Sequence, residues 1–171
     1  MPRSDRRQRA ADAPAEGAPL VAVMVRAGQG YGREVLEGIC DYIQENRSFA
    51  AVQAFGVFIQ PERLDGWLDR ADAVITEPRN PEHVERVAQS GLPTVSVTGQ
   101  AAPGPLPCVI VDNEAVGRMA AEFYLNRGFE DLAYVGRAQN RFSQVRRGGF
   151  EETVLAASKQ VHTFDCGAPE E

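Results

Sequence analysis

Short apolar runs and longer amphipathic stretches take turns along the chain. Residues 20–25 form a continuous apolar run rich in Val, which is typical of a β-strand buried on both faces. A glycine-rich turn follows at residues 28–32, and apolar residues then recur at helical spacing from Tyr31 to Ile43. The beginning of the chain therefore predicts a strand, a turn and a helix.

The same pattern recurs as far as residue 164. The segment Asn80-Pro81-Glu82 predicts a helix start, because Asn suits the N-cap and Pro the first helical position. Strands that alternate with helices of roughly 10–15 residues predict an α/β fold, a doubly wound parallel sheet with helices on both faces. The further strands are predicted at residues 51–58, 73–76, 94–98, 108–111, 132–135 and 161–164.

The chain is predicted to form two lobes. The Pro- and Gly-rich loop at residues 99–107 predicts their boundary. We expect a disordered polar tail at residues 1–19, a first lobe at residues 20–112 and a second lobe at residues 113–171. The tail is rich in Arg, but the apolar stretch of roughly 7–15 residues that an export signal needs does not follow it.

Composition narrows the possible functions. Of the 171 residues, 43% are hydrophobic and 25% are charged, an ordinary balance for a soluble globular domain. The net charge of −6 argues against nucleic-acid binding by this chain alone. Because no run approaches the roughly 18 apolar residues of a membrane helix, we expect a cytoplasmic protein with no membrane partner.

The cysteines and histidines do not have the spacing of a metal site. Cys40, Cys108 and Cys166 lie far apart, and only two histidines, His83 and His162, are present. We expect no metal, and we expect Cys40 and Cys108 to be buried as small apolar residues. Each histidine is expected to have a solvated or structural role.

Enzyme chemistry is weakly supported. The turn Gly28-Gln29-Gly30-Tyr31-Gly32-Arg33 lacks the third glycine of a dinucleotide-binding motif, and no acid follows roughly 20 residues later to hold a ribose. The sequence also lacks a phosphate-binding loop and a GxSxG motif. We expect no cofactor and no catalytic residue. A Rossmann-like nucleotide-binding enzyme fragment and a purely structural interaction domain remain the alternatives.

A set of polar residues is predicted at the strand ends. Ligands of parallel α/β sheets bind at the carboxyl ends of the strands. Carboxylate, amide and guanidinium groups can hydrogen-bond adjacent sugar hydroxyls, while aromatic rings such as those of Tyr31 and Phe142 cover the C–H surface. Glu77, Gly136 and Arg137 also follow predicted strands. The polar candidates for ligand binding are Gln29, Thr98, Asp112, Asn113 and Arg146.

Several segments in matching order resemble the effector domain of LacI/GalR-type regulators, which is periplasmic-binding-protein-like. That family commonly reads V-x-x-D-N, then a helix ending in H-L-x-x-x-G-H, a strand, and R-x-x-G-F. Phe129 stands where the family often has His. The corresponding segments here are Val109-Ile110-Val111-Asp112-Asn113, Leu125-Asn126-Arg127-Gly128-Phe129, Leu132-Ala133-Tyr134-Val135-Gly136 and Arg146-x-x-Gly149-Phe150, and Gly91-Leu92-Pro93-Thr94-Val95 matches a further strand entry.

The beginning of the chain adds a closer resemblance. Residues 21–25 and 31–39 look most like the sensor portion of AraC-type xylose operon activators, in which a LacI-like sensor precedes an AraC-type DNA-binding domain. The resemblance implies a ligand-sensing part of a bacterial transcription regulator. It implies that a small sugar, such as the pentose xylose, is held in a cleft between two lobes. It also implies a homodimer, and DNA contact only through a domain absent from this chain.

The resemblance also assigns roles to single residues. It implies that Asp112 accepts hydrogen bonds from sugar hydroxyls, that Arg146 donates to the ring or its hydroxyls, and that Thr98 and Tyr31 line the cleft. A complete sensor of this kind has a longer second lobe. We therefore expect a truncated chain whose second lobe is incomplete and whose apolar helix faces are left uncovered.

Overall fold

The computed structural model describes residues 17–28, 30–46, 48–54, 62–78, 80–98 and 104–167. It divides into two compact units, Met1–Val109 and Ile110–Glu171. The division falls close to the end of the predicted first lobe at residue 112, and the lobe boundaries themselves stay a prediction. Most of the expected disordered tail, residues 1–16, lies outside the described residues.

The first unit is built on a parallel sheet in the order β2-β1-β3-β4. The predicted strand at residues 73–76 has the bounds that the apolar run suggests, while the predicted strand at 51–58 is shorter and its residues 55–58 lie outside the described part. The elements are β1 (Leu20–Met24), α1 (Gly30–Asn46), β2 (Ala50–Gln53), α2 (Arg63–Leu68), β3 (Ala73–Thr76), α3 (Pro81–Gln89) and β4 (Thr94–Ser96).

Helices cover both faces of this sheet. Side chains of a strand alternate between its faces, so Val21, Val23 and Val25 point one way while Ala22 and Met24 point the other. The first set packs against apolar residues of α1, and the second packs against α2 and α3. Both faces of β1 are therefore buried, as its continuous apolar run predicts, and the doubly wound parallel sheet is confirmed.

The start of α3 confirms the predicted cap. Asn80 has an extended backbone, and its side chain accepts a 2.7 Å hydrogen bond from the N–H of His83, with Pro81 at the first helical position. The His83 ring is buried, and its Nε2 lies 3.1 Å from Thr76 Oγ1. His83 thus has a structural role that fastens α3 to the end of β3.

Two expectations about residues 108–111 are wrong. They form no strand, because β4 ends at Ser96 and offers a single parallel bridge, between Ser96 and Cys108. Beyond that bridge Val109, Ile110 and Val111 are exposed. Cys108 is exposed as well, not buried, since it lies at this poorly paired edge.

Cys40 is also exposed, contrary to expectation. The residue before it, Ile39, packs against β1 together with Val35 and Leu36. A helix turns by about 100° per residue, so Cys40 leaves the contact face.

The second unit contains a βαβ crossover preceded by a helix. Its strands pair in parallel, from Asp131 opposite Gln160 to Gly136 opposite Asp165. The buried core consists of Ala121, Leu132, Phe150 and Val154. The elements are α4 (Asn113–Leu125), β5 (Asp131–Gly136), α5 (Arg141–Ala156) and β6 (Gln160–Asp165).

Helices α4 and α5 contact each other through glycines. A Cβ at Gly117 would overlap the carbonyl oxygen of Arg146, and a Cβ at Gly149 would overlap the carbonyl oxygen of Glu114. The two backbones are therefore in contact. A larger residue at either position would prevent this contact.

An apolar side of α4 is exposed within its unit. Val116, Met119 and Phe123 are 36%, 66% and 50% accessible, and Ala120 is exposed too, because α4 packs on α5 with the side that carries Gly117 and Ala121. This uncovered face agrees with the expectation of exposed apolar helix surface. Among the described residues, no helix is long and apolar enough to cross a membrane.

Replacing Gly149 by Ala is expected to destabilise the protein by about 1–3 kcal/mol, since the added Cβ forces α4 and α5 apart. Gly148→Ala is the matched control, because that glycine lies next along α5 with nothing within 4 Å of its added Cβ. Gly148→Ala should instead raise stability by about 0.5–1 kcal/mol through better helix propensity. Urea unfolding measures both variants, and equal midpoints for the two would contradict the close contact.

Stability should fall as pH drops below about 6.5, the pKa of an unfolded histidine. Burial lowers the pKa of folded His83, and the charge of Arg86 lowers it further. The unfolded chain then binds a proton that the folded chain resists, so the neutral ring stabilises the fold above this pH and the stabilisation is lost below it. Comparing urea midpoints at several pH values, His83→Gln should lose less stability on acidification than the wild type. Equal pH slopes for His83→Gln and the wild type would refute the role of burial.

Candidate functional site

Tyr31 lies at the carboxyl edge of the first unit's sheet. It is at the start of α1, and its hydroxyl donates a 2.5 Å hydrogen bond to the carbonyl oxygen of Val97, which follows β4. Burial raises the pKa of Tyr31, and the nearby carboxylate of Glu77 raises it further. The residue as a whole remains 41% exposed. Tyr31 therefore keeps a neutral hydroxyl that is tied to the backbone and an aromatic surface that is open to a partner.

An ion pair lies at the same edge, at the ends of β1 and β3. Arg26 Nη2 is 3.3 Å from Glu77 Oε1, and the Arg26 backbone N–H donates to Glu77 Oε2 at 3.3 Å. Glu77 is buried, so its charge is held by this pairing rather than by water. The position of Glu77 after a predicted strand marks it in the sequence, whereas nothing local marks its partner Arg26, which lies 51 positions away.

Two further candidates of the first unit stay predictions. Thr98 is half-buried after β4, and its carbonyl oxygen accepts a 3.0 Å hydrogen bond from Ser96 Oγ. Its position at a strand end agrees with the expected place. Gln29 lies outside the described residues.

Asp112 caps helix α4. Its Oδ1 accepts a 2.9 Å hydrogen bond from the N–H of Ala115, and the side chain is otherwise exposed. An acidic N-cap satisfies a helix donor and complements the positive end of the helix dipole. One carboxylate oxygen of Asp112 thus has a structural task, and its role toward a ligand stays a prediction.

Asn113 and Arg146 form a side-chain pair across α4 and α5. Arg146 Nε donates a 2.7 Å hydrogen bond to Asn113 Oδ1, and Asn113 Nδ2 donates to the carbonyl oxygen of Val111 at 3.0 Å. The Arg146 guanidinium carbon also lies 5.2 Å from the centre of the Phe142 ring. Asn113 is therefore a positioning residue that orients Arg146, with Phe142 supporting the guanidinium from another side.

Arg146 and Phe142 border an open hollow of roughly 320 Å³ in the second unit. It lies at the carboxyl ends of β5 and β6 and at the beginning of α5, where ligands of parallel sheets bind. Its size is at the lower end of the range of small-molecule pockets, about 300–1,000 Å³. The residues that line it are Tyr134, Val135, Gly136, Arg137, Asn140, Phe142, Ser143, Arg146 and Cys166.

The structure brings together one part of the predicted set. Asn113 and Arg146 are in contact, and Asp112 adjoins Asn113 in the chain, all within the second unit. Tyr31 and Thr98 belong to the first unit. Asn140 was not predicted as a site residue, although an Asn before a helix is a recognisable start signal.

The hollow offers hydrogen-bond donors and an aromatic face. Guanidinium, amide and hydroxyl groups come from Arg137, Arg146, Asn140 and Ser143, and the ring comes from Phe142. Among the described residues, no group of three or more His, Cys, Asp or Glu could hold a metal ion. This combination suits the binding of a small polar molecule.

Comparison with known proteins gives relatives that extend beyond this chain. No family model matches it. The xylose operon regulatory protein of Haemophilus influenzae is 30% identical over 152 residues, which cover 85% of this chain and 39% of that protein. A periplasmic binding protein/LacI transcriptional regulator from Alkaliphilus metalliredigens, complexed with D-xylulofuranose, aligns with a TM-score of 0.68 at 14% identity, covering 90% of this chain and 58% of its own.

A solved structure of a xylose-binding transcription activator aligns with a TM-score of 0.69 at 17% identity, covering 90% of this chain and 39% of its own. The chain therefore has the fold of periplasmic binding proteins and LacI-type regulators, as the resemblance of its sequence implies. It spans between 39% and 58% of the length of these relatives.

The capping role of Asp112 can be separated from a ligand role by substitution. Asp112→Ala should lower the free energy of unfolding by about 1 kcal/mol, because the Ala115 N–H loses its acceptor. Asp112→Asn should stay within a few tenths of a kcal/mol of the wild type, since Asn caps about as well as Asp. Urea unfolding without any ligand measures this difference, and an unchanged midpoint in Asp112→Ala would show that the cap contributes nothing.

Proposed function

We propose that this chain is the ligand-sensing part of a bacterial transcription regulator and that it binds a small sugar, with pentoses such as xylose as the first candidates. The observation that carries the proposal is the hollow at the carboxyl ends of β5 and β6, into whose lining Asn113 and Phe142 fix the guanidinium of Arg146. A fixed donor group beside an aromatic ring is a common arrangement for holding a hydroxylated ring.

The geometry of Arg146 suits a sugar. Its Nε is occupied by Asn113, and the other described residues take up none of its remaining N–H groups. Two N–H groups on a planar guanidinium can donate to two adjacent hydroxyls at once. Because the group is already oriented, less side-chain entropy is lost when the ligand binds.

The relatives support a pentose. The Haemophilus influenzae protein is named as a xylose operon regulator, the Alkaliphilus metalliredigens structure contains D-xylulofuranose, and the activator is described as xylose-binding. These descriptions belong to those proteins. For this chain the sugar remains a proposal, and Asp112, Thr98 and Tyr31 are proposed as further contacts.

DNA recognition is proposed to belong to another part of the regulator, of the AraC type. A chain of net charge −6 repels a phosphate backbone.

We also propose a homodimer in the cytoplasm. The exposed apolar side of α4, with Val116, Met119 and Phe123, would be removed from water if a second copy covered it. Binding without catalysis is proposed for the sugar, in keeping with relatives that are regulators and binding proteins.

Thermal unfolding with and without D-xylose, D-ribose and D-glucose tests the proposal. A sugar at about 100 times its Kd stabilises the folded chain by about 2.7 kcal/mol, which raises Tm by about 5–10 °C. Arg146→Ala should weaken binding at least about tenfold, because a charged donor is lost. Arg118→Ala is the control, since that arginine is exposed on α4, away from the hollow, in a surface ion pair with Glu114.

Asn113 gives a second comparison. Asn113→Ala should weaken sugar binding by releasing Arg146, whereas Asn113→Asp keeps an oxygen acceptor for Nε but loses the donor to the Val111 carbonyl, and should weaken binding less than Asn113→Ala does. If none of these neutral sugars raises Tm in the wild-type chain, sensing of a neutral sugar by this chain is refuted. If Arg118→Ala and Arg146→Ala weaken sugar binding equally, the hollow is not the sugar-binding site.

A further inference from the structure

We infer that the preferred ligand of the hollow is a sugar that carries an acidic group, a carboxylate or a phosphate, rather than a neutral sugar. This inference rests on the proposed function and narrows its ligand class. It is carried by the charge of the lining, which is opposite to that of the chain as a whole.

The lining is positively charged. Arg137 and Arg146 both line the hollow, and none of the described residues that share the lining is an Asp or Glu. Arg137 is exposed at the end of β5, and Arg146 is half-buried on α5. Two guanidinium groups therefore border one small space in a protein whose net charge is −6.

Neither of the nearby carboxylates lines the hollow, although Asp165 borders an adjoining hollow together with Arg137. Asp165 Oδ1 accepts hydrogen bonds from the backbone N–H groups of Ala138 at 3.2 Å and Gly167 at 3.0 Å. Asp112 accepts from the N–H of Ala115. In the described part of the chain, no ion pair joins either carboxylate to Arg137 or Arg146.

The beginning of α5 adds to this positive potential. The helix has 16 residues and no acidic residue in its first turn, and its N-cap Asn140 makes no side-chain cap hydrogen bond. Asn140, Phe142 and Ser143 of this first turn line the hollow. The positive end of a helix dipole favours an anion at that place, and here it acts together with the two arginines.

An anionic group uses this arrangement better than a hydroxyl does. Hydrogen bonds from a guanidinium to a carboxylate or phosphate are roughly twice as strong as neutral ones. A neutral sugar leaves both positive charges of the hollow uncompensated, whereas an anion neutralises them and can accept from both. Carboxylate and phosphate share this chemistry, so the experiment includes both.

Isothermal titration of the 171-residue chain compares four ligands: D-xylose, D-xylonate, D-xylose 5-phosphate and inorganic phosphate. The three sugars share a carbon skeleton and differ in charge. We expect at least one anionic sugar to bind about tenfold or more tightly than D-xylose at low salt. This advantage should shrink as NaCl is raised from about 50 mM to about 500 mM, because salt screens exposed charges.

Variants locate the effect. Arg137→Gln should weaken binding of the anionic sugar about tenfold and binding of D-xylose by a clearly smaller factor, since Gln retains a hydrogen-bond donor and removes the charge. Arg141→Gln is the matched control: Arg141 is also exposed at the start of α5, and it does not line the hollow. The affinity of the Arg141→Gln variant for the anionic sugar and for D-xylose should change by less than about twofold.

The outcomes separate this inference from the proposed function. Tighter binding of an anionic sugar that Arg137→Gln weakens selectively supports both. D-Xylose binding as tightly as the anionic sugars, or Arg137→Gln weakening all sugars equally, overturns the inference alone. If none of the sugars binds, both the inference and the proposed function fail. Binding of inorganic phosphate in the absence of any sugar binding leads to the same conclusion.

Discussion

The second unit depends on the close approach of α4 and α5. Gly117 and Gly149 allow the two backbones to touch, and this contact sets Asn113 within hydrogen-bond distance of Arg146. Asn113 is the first residue of α4, and Asp112 caps that helix, so the same few residues start the helix and orient the arginine. The geometry of the hollow is therefore a consequence of helix packing, and a change at either glycine acts on the site without touching a ligand.

The sequence predicted the central strands well because burial on both faces imposes a continuous apolar run. Residues 73–76 are an example, and so is the first strand, which is predicted within one residue of its end. Residues 108–111 have the same apolar character but form only one bridge. A strand needs a partner with unpaired backbone groups at matching positions, and β4 ends at Ser96. The length of a neighbouring strand is a tertiary fact that local pattern does not contain.

Of the three candidates in the second unit, Arg146 alone lines the hollow, and the roles of the other two toward a ligand stay predictions. The order of Asp112, Asn113 and Arg146 marked them as important, and the structure gives two of them tasks inside the protein, capping α4 and holding Arg146. A carboxylate or amide uses the same oxygen atoms to cap a helix, to orient a neighbour or to bind a hydroxyl, so spacing alone cannot distinguish these roles. Arg26 shows the converse, because its partner Glu77 is remote in sequence.

This division of roles bears on how the motif should be interpreted. In the motif Arg146-x-x-Gly149-Phe150, Gly149 contacts α4 and Phe150 belongs to the buried core. Of these three residues, only Arg146 lines the hollow. The motif can therefore persist for the sake of the fold while the ligand changes. Specificity then has to come from lining residues outside it, namely Arg137, Asn140 and Phe142, whose charge and shape are free to vary without disturbing the contact between α4 and α5. A shared motif accordingly implies a shared scaffold, and the chemistry of the lining decides which ligand that scaffold holds.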